Sequence, residues 1–255
     1  MMSAASLLFR AGERPTLADI RALARREDSF CLSFEPATDT PRETGVEERG
    51  DTGQGWVELL SSGLTFHLSG LAPHAGEGAP RFANRYGLAA DLAERPLEAI
   101  TLVPGPHLAG GERMFPVVRC LAMLAARLAG LPGVEGVAWH AAEAISAPDF
   151  YARGVLAWVE GGPFPGLGLT ALEEGADGSL RSRGLALFTG QELYLPADVA
   201  QDRADAAKLA LRLINWLVEH GKITETFSFT GPSGEPIGLE PVENSAILRV
   251  WRGSL

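Results

Sequence analysis

The chain is poor in cysteine: only Cys31 and Cys120 occur among its 255 residues. Two widely spaced cysteines cannot build the disulfide framework of a small secreted domain, and neither belongs to a Cys-x-x-Cys pair. Cys31 falls in a strand pattern and Cys120 in an apolar helix pattern, so both are predicted to be small buried side chains. We therefore expect a protein of a reducing compartment, the cytoplasm.

The chain also lacks an excess of basic residues and a long hydrophobic run. Its 22 Lys and Arg against 32 Asp and Glu give a net charge of -10. A nucleic acid or an anionic membrane surface needs a basic footprint, so neither is expected as a partner. The longest apolar helix pattern, residues 114–131, is interrupted by Arg119 and Arg127 and is too amphipathic to span a bilayer. Residues 1–15 contain only a three-residue apolar cluster, which predicts that no signal peptide is present.

Recognisable catalytic motifs are missing as well. No Gly-x-Ser-x-Gly elbow occurs, so no serine nucleophile is predicted. No two histidines have the spacing of a zinc site, and we expect no metal and no cofactor. The five histidines are His67, His74, His107, His140 and His220.

What the sequence does contain is an ordinary globular composition, 46% hydrophobic and 21% charged, with clear helix and strand periodicities. Thr16 is predicted to cap a helix over 17–27, and Asp198 is predicted to cap the longest helix. Two further helices are predicted from apolar stripes, at 114–128 and after Ser146. Strands are predicted at 30–34, 56–60, 64–68, 97–103, 134–139, on both sides of Ala176-Asp177-Gly178, and at 224–230, 237–242 and 246–251.

These elements predict an α+β fold, with a mixed, largely antiparallel sheet and helices packed on it. The strand–helix–strand unit over 97–139 is expected to pair in parallel by a right-handed crossover. Residues 1–96 are predicted to form an N-terminal α/β elaboration, in which the polar segment 35–55 is a mobile loop. Residues 97–255 are predicted to form a C-terminal α+β domain, and one continuous domain remains the alternative.

The richest pattern lies between Gly161 and Leu195, where a Gly/Pro-dense turn leads through two strands to a compact corner at 188–193. Within this pattern stand Ser182, Arg183, Gly184, Leu185, Phe188, Gly190, Glu192 and Leu193. Together with the long Asp-capped helix and the strand-rich tail, these residues resemble the bacterial family called domain of unknown function 4261, over about residues 98–255. The resemblance implies a fold and no established activity.

A loop between a predicted strand and helix, residues 105–112, has the Gly-x-x-x-x-G spacing of a phosphate loop. Gly111 and Glu112 stand where such a loop has Lys and Ser or Thr, so a plain connecting loop is the simpler interpretation. A weaker anion site with His107 and Arg113 remains a hypothesis, because backbone N–H groups converge at such a place.

Two further groups are candidates for ligand binding. His140 ends a predicted strand with Glu143 nearby, and strand ends often carry function; an exposed strand-end histidine is the alternative. Glu192 is expected to cap backbone N–H groups of the corner or to pair with Arg183, with ligand binding as the alternative. The tryptophans are expected in the core rather than in a stacking platform: Trp139, Trp158 and Trp216.

Two functional hypotheses follow. The first is a non-catalytic domain that binds a protein partner or a small anionic ligand. The second is an enzyme whose site is assembled from distant residues, with an anionic or phosphorylated ligand near 105–113 and 140–143. The residues offered for a ligand site are His107, Arg113, His140, Glu143, Arg183 and Glu192, and the oligomeric state stays open.

Overall fold

The computed structural model describes residues 3–35, 55–231 and 234–253. These residues form six helices and two mixed, mostly antiparallel sheets, which confirms the α+β fold. The predicted mobile loop lies outside the described residues, apart from Glu35 and Gly55. The helices are α1 (Leu17–Arg26), α2 (Phe115–Leu128), α3 (Pro148–Val159), α4 (Gly166–Leu169), α5 (Ala186–Thr189) and α6 (Arg203–His220).

The first sheet has the strand order β2-β3-β4-β7-β1-β8-β9-β6, and β5 pairs with β7 beside it. Its strands are β1 (Ala5–Arg10), β2 (Cys31–Phe34), β3 (Val57–Ser61), β4 (Leu64–Ser69), β5 (Glu77–Gly78), β6 (Asn84–Tyr86), β7 (Leu97–Pro104), β8 (Gly136–Trp139) and β9 (Ala144–Ser146).

The position of β1 overturns one sequence-based prediction. The structure places β1 between β7 and β8, antiparallel to both, so those two strands are not directly paired. Five of the six residues of β1 are buried, and this makes β1 suitable for the middle of a sheet covered on both faces. The parallel crossover expected over 97–139 therefore spans an intervening strand. Strands from both sides of residue 96 share this sheet, and the division of the chain there stays a prediction.

The second sheet has the order β10-β11-β12-β15-β14-β13, in which only the β12–β15 pair is parallel. Helix α6 follows β12 and packs against β11 and β12. Strand β13 stands at one end of the order. The strands are β10 (Ala171–Glu174), β11 (Leu180–Arg183), β12 (Glu192–Leu195), β13 (Phe227–Thr230), β14 (Pro236–Val242) and β15 (Ile247–Arg252).

One hydrophobic core extends through both sheets. It includes Leu7 of β1 and Leu121 of α2 as well as Leu193 of β12 and Leu239 of β14. The predicted apolar stripe of α2 is buried, because α2 packs on the central strands β1 and β7 of the first sheet. Within the described residues no helix is long and apolar enough to cross a membrane.

The helix caps were predicted with mixed success. Thr16 forms the expected capping box with Asp19 at the start of α1, which lowers the pKa of Asp19. The prediction that Asp198 caps the longest helix is wrong. Residues 196–200 form a separate turn closed by the Pro196 carbonyl, and α6 begins only at Arg203. Its N-cap is Asp202, whose Oδ1 accepts the Asp205 backbone N–H at 3.0 Å.

The two cysteines differ in burial. Cys120 lies in the core, as predicted, and burial raises the pKa of its thiol. Cys31 is exposed, so the prediction that it is buried is wrong. It lies on β2, an edge strand of the first sheet whose residues are all at least partly exposed. Alternation along a strand cannot tell an edge from the middle of a sheet.

Candidate functional site

A turn after β8 brings several of the predicted site residues together. One 3-10 turn, His140–Ala142, follows β8, and Glu143 ends it in the left-handed conformation with φ 46°. The Oε1 atom of Glu143 accepts a hydrogen bond from Nη1 of Arg183 at 3.0 Å, and Arg183 also pairs with Glu173. These carboxylates raise the pKa of the Arg183 guanidinium. The ion pair of Glu143 with Arg183 thus joins the end of β8 in the first sheet to β11 in the second.

The carboxylate of Glu192 on β12 is buried and accepts hydrogen bonds from other groups of the protein. The carboxylate accepts the backbone N–H groups of Gly184, Leu185 and Ala186 at 2.9, 3.2 and 3.1 Å, and the Ser182 hydroxyl at 2.5 Å. Those N–H groups lie at the start of α5, where a helix leaves donors without an internal partner. Burial raises the pKa of Glu192, although the four hydrogen bonds act in the opposite direction. Glu192 therefore caps the corner, the first of the roles considered for it.

Gly184 links this corner to the turn that contains His140. Its φ of 89° is in the left-handed region, and a Cβ on it would lie 3.1 Å from backbone atoms of Ala141 and Ala142. Only a residue without a side chain permits both the conformation and the approach. Close to this contact, Trp139 stacks on Phe188 with ring centroids 6.3 Å apart. The corner is therefore the junction of the two sheets.

His140 ends a chain of hydrogen bonds across the first sheet. Its Nε2 lies 2.8 Å from Oγ of Ser6, which lies 3.0 Å from Oγ1 of Thr101. The Thr101 hydroxyl donates to Glu77 at 2.6 Å, and Ser69 donates to the other oxygen of Glu77 at 3.0 Å. Because Thr101 donates its single hydroxyl hydrogen to Glu77, it must accept from Ser6, and Ser6 must accept from His140. This series of hydrogen bonds therefore places a proton on Nε2 of His140. The lone pair on Nδ1 takes no part in the series.

The sequence pattern indicates His140 but none of the residues that connect it to Glu77. The sequence signal for Ser6 and Thr101 is that each is a polar residue flanked by apolar residues of its strand. Their contact depends on β1 pairing with β7, where Ser6 and Thr101 are register partners. Local periodicity carries no information on that pairing.

Burial gives His140 a testable effect on stability. Burial lowers the pKa of His140 from its ordinary value of 6.5, and attraction by Glu77 opposes the shift without cancelling it. The unfolded chain then binds a proton at a higher pH than the folded chain, so the free energy of unfolding should fall as the pH drops below about 6.5 and level off below the folded-state pKa. Urea unfolding between pH 7.5 and 5 should show a shallower decline for His140→Gln. His107→Gln, on an exposed side chain, should keep the wild-type slope; equal slopes for all three proteins would contradict the prediction.

The other two predicted site residues lie elsewhere. His107 is in a 3-10 turn, Pro106–Leu108, and is exposed, with no hydrogen bond or ion pair to any described residue. Arg113 is exposed in the loop before α2. The ion pair and the hydrogen bonds around His140, Glu143 and Glu192 involve neither of them. The structure therefore does not combine the loop 105–113 and the turn 140–143 into one site through these contacts.

A groove that the sequence analysis missed lies between α6 and β13. It encloses about 400 Å³, a size typical of binding pockets. Trp216 stacks on Phe227 with centroids 5.2 Å apart and lies 6.4 Å from Phe229. Trp216 was expected in the core but is only half-buried here, and Phe227 is 42% exposed. The groove is lined by Leu209, Arg212, Leu213, Trp216, Phe227, Phe229, Thr230 and Gly231.

One cation faces this aromatic groove. Arg212 is the only charged side chain among the lining residues, it is exposed, and within the described part of the chain it forms no ion pair. Lys208, one helical turn earlier, is paired with Asp205 at 3.3 Å. The guanidinium of Arg212 is therefore available to a ligand in the groove.

Strand β13 adds an open backbone edge to the groove. In the described residues β13 pairs with β14 and with no strand on its other side. Phe227, Ser228 and Thr230 are exposed along it. A sheet edge that exposes apolar residues is a template for pairing with another chain, and natural proteins usually block such edges with charge, proline or a covering segment.

A second cavity of about 390 Å³ lies between α3 and α4, lined in part by Phe150, Tyr151 and Pro165. Burial raises the pKa of the Tyr151 hydroxyl well above its ordinary value, and that hydroxyl has no hydrogen-bond partner among the described residues. This cavity has helices on both sides and offers no strand edge.

Within residues 3–35, 55–231 and 234–253, no cluster of three or more His, Cys, Asp or Glu side chains has the arrangement needed to hold a metal ion. The resemblance to domain of unknown function 4261 stays a prediction. No family model, no curated protein and no solved structure matches the chain.

Proposed function

We propose that the protein is a non-catalytic interaction domain of the cytoplasm that binds an extended segment of a partner protein along β13. One observation carries the proposal: an exposed sheet edge that carries Phe227 lies directly beside an aromatic-lined groove. In recognition by strand addition, backbone hydrogen bonds to the edge supply affinity, and pockets beside the edge select alternate side chains. The edge of β13 and the groove against α6 provide these two parts.

The aromatic groove favours a partner residue with a bulky apolar side chain. Alternate residues of an added strand would face α6, because successive side chains point to opposite faces. One of them would cover Phe229 and the exposed part of Phe227, against which Trp216 already stacks. Burying apolar surface at about 25 cal/mol per Å² favours this association.

A synthetic heptapeptide tests the proposal. In the probe every second residue is threonine, and the central residue is phenylalanine. Its binding to the protein is measured by calorimetry. We expect Phe227→Ser to weaken binding about tenfold, because burying half of an aromatic ring contributes about 1–1.5 kcal/mol. Phe34→Ser is the matched control, since Phe34 is a 53% exposed phenylalanine on β2, an edge strand of the first sheet. It should bind the probe as the wild type does.

Two further measurements sharpen the test. N-methylation of the peptide N–H groups that face β13 should abolish binding, because strand addition needs those donors. Absence of binding by every peptide, or an equal loss for Phe34→Ser, would contradict the proposal. Sedimentation of the protein alone is the remaining check: a dimer that Phe227→Ser dissociates would identify a second copy of the chain as the occupant of the edge.

The hydrogen-bond chain from Glu77 to His140 favours a second candidate function, an enzyme with a site assembled from distant residues. A histidine oriented through its Nε2 leaves Nδ1 available as a proton acceptor, which general-base catalysis requires. A screen of anionic and phosphorylated small molecules for turnover tests it. Turnover that is lost in His140→Gln and kept in His107→Gln would support the enzyme over the interaction domain.

A further inference from the structure

We infer that the partner segment carries a carboxylate two residues away from its apolar residue, and that this carboxylate pairs with Arg212. The inference rests on the proposed function, because it concerns the segment that would lie along β13. It adds a charge and a register to a partner otherwise defined only by an extended backbone and an apolar side chain.

The spacing of the helix residues matches the spacing of a strand. Arg212 and Trp216 are four residues apart on α6, which corresponds to about 6 Å along the helix axis. Residues two apart on a strand are separated by about 6.6 Å and point to the same face. Trp216, near the end of α6, stacks on Phe227 at the start of β13. The same groove extends to Arg212 on the helix and to Thr230 at the end of β13, which favours a course of β13 back along the helix. A strand added to β13 would therefore place one side chain opposite Trp216 and its second neighbour opposite Arg212.

The charge at Arg212 specifies what that second neighbour is. Arg212 forms no ion pair within the described residues, whereas Lys208 on the preceding turn is already paired. A guanidinium binds a carboxylate through two parallel N–H donors, which gives geometric specificity as well as attraction. Arg212 is the one charged side chain among the residues that line the groove, so a carboxylate of the segment bound there finds its opposite charge at Arg212. Arg212 therefore fixes the register of the added segment.

Four heptapeptides test this inference by calorimetry at low salt. All contain the central phenylalanine of the first probe; on both sides of it they carry aspartate two residues away, asparagine two residues away, lysine two residues away, or aspartate three residues away, so that either direction of the added strand is tested. We expect the first to bind about 3–5-fold more tightly than the asparagine peptide, as for an exposed ion pair of about 1 kcal/mol. The lysine peptide should bind more weakly than either. Aspartate at the third position should confer no gain, since that side chain faces away from the helix.

The protein variants assign the effect to one residue. Arg212→Gln should bind the aspartate and asparagine peptides equally, and the preference should also disappear at 1 M salt. Arg249→Gln is the control, because Arg249 is an exposed arginine of β15 in the same sheet and lies outside the groove. It should keep the preference.

The possible outcomes separate the inference from the proposed function. Equal binding of the aspartate and asparagine peptides, or a preference that persists in Arg212→Gln, would overturn the inference. If those peptides still lost binding in Phe227→Ser, the proposed interaction domain would be supported, and only the pairing of a partner carboxylate with Arg212 would be rejected. Failure of all four peptides to bind would overturn both.

Discussion

Replacing Glu192 with alanine is expected to lower the free energy of unfolding by about 3–5 kcal/mol. The substitution removes a buried carboxylate that accepts four hydrogen bonds, three of them from backbone N–H groups at the start of α5. A buried donor left without a partner costs about 1–3 kcal/mol, and several are released at once. Ser182 loses an acceptor as well, while its own oxygen still accepts the Leu193 N–H at 2.7 Å.

The Glu192 prediction is checked by urea unfolding at pH 7. Glu192→Gln keeps the shape of the side chain but replaces one acceptor oxygen with a donor, so an intermediate loss is expected. Glu225→Ala, on an exposed glutamate in the segment before β13, should change the free energy by less than about 0.5 kcal/mol. A loss for Glu192→Ala no larger than that of Glu225→Ala would show that the corner does not depend on this carboxylate.

The features that local periodicity determines were predicted well. Thr16 and Asp19 predict the start of α1, and the apolar stripe of α2 predicts which face of that helix is buried. Both depend on residues within one or two turns of a helix, where spacing in sequence fixes spacing in structure. The same local character explains why the corner around Glu192 could be assigned a capping role before its partners were known.

The features that depend on distant pairing were not predicted. No residue near Ser6 in sequence indicates that β1 lies between β7 and β8. Periodicity also does not indicate that the strands divide into two sheets. The groove was missed for a related reason. Trp216 lies beside the apolar stripe of α6, and the stripe does not show whether a neighbouring element covers the whole face or leaves an open edge like that of β13.

Gly184 is the second position at which a small change should have a large effect, because it combines an unusual conformation with a close backbone contact. Gly184→Ala is expected to lower the free energy of unfolding by about 2–5 kcal/mol. A non-glycine residue in the left-handed region costs about 1–2 kcal/mol. Forcing a methyl group into a packed site adds about 1–3 kcal/mol. The new Cβ would lie 3.1 Å from backbone atoms of Ala141 and Ala142, and backbone cannot rotate away as a side-chain end can.

A matched variant separates the two contributions. Gly63, in the turn between β3 and β4, has a φ of 76° and no atom within 4 Å of the place where a Cβ would stand. Gly63→Ala should therefore show the conformational cost alone, about 1–2 kcal/mol. The difference between the two losses, measured by urea unfolding, reports the contact of the corner with the turn that contains His140. If the losses are equal, the backbone of Ala141 and Ala142 accommodates the methyl group without cost and the prediction fails; a larger loss at Gly184 would show that the close approach of these backbone segments cannot relax.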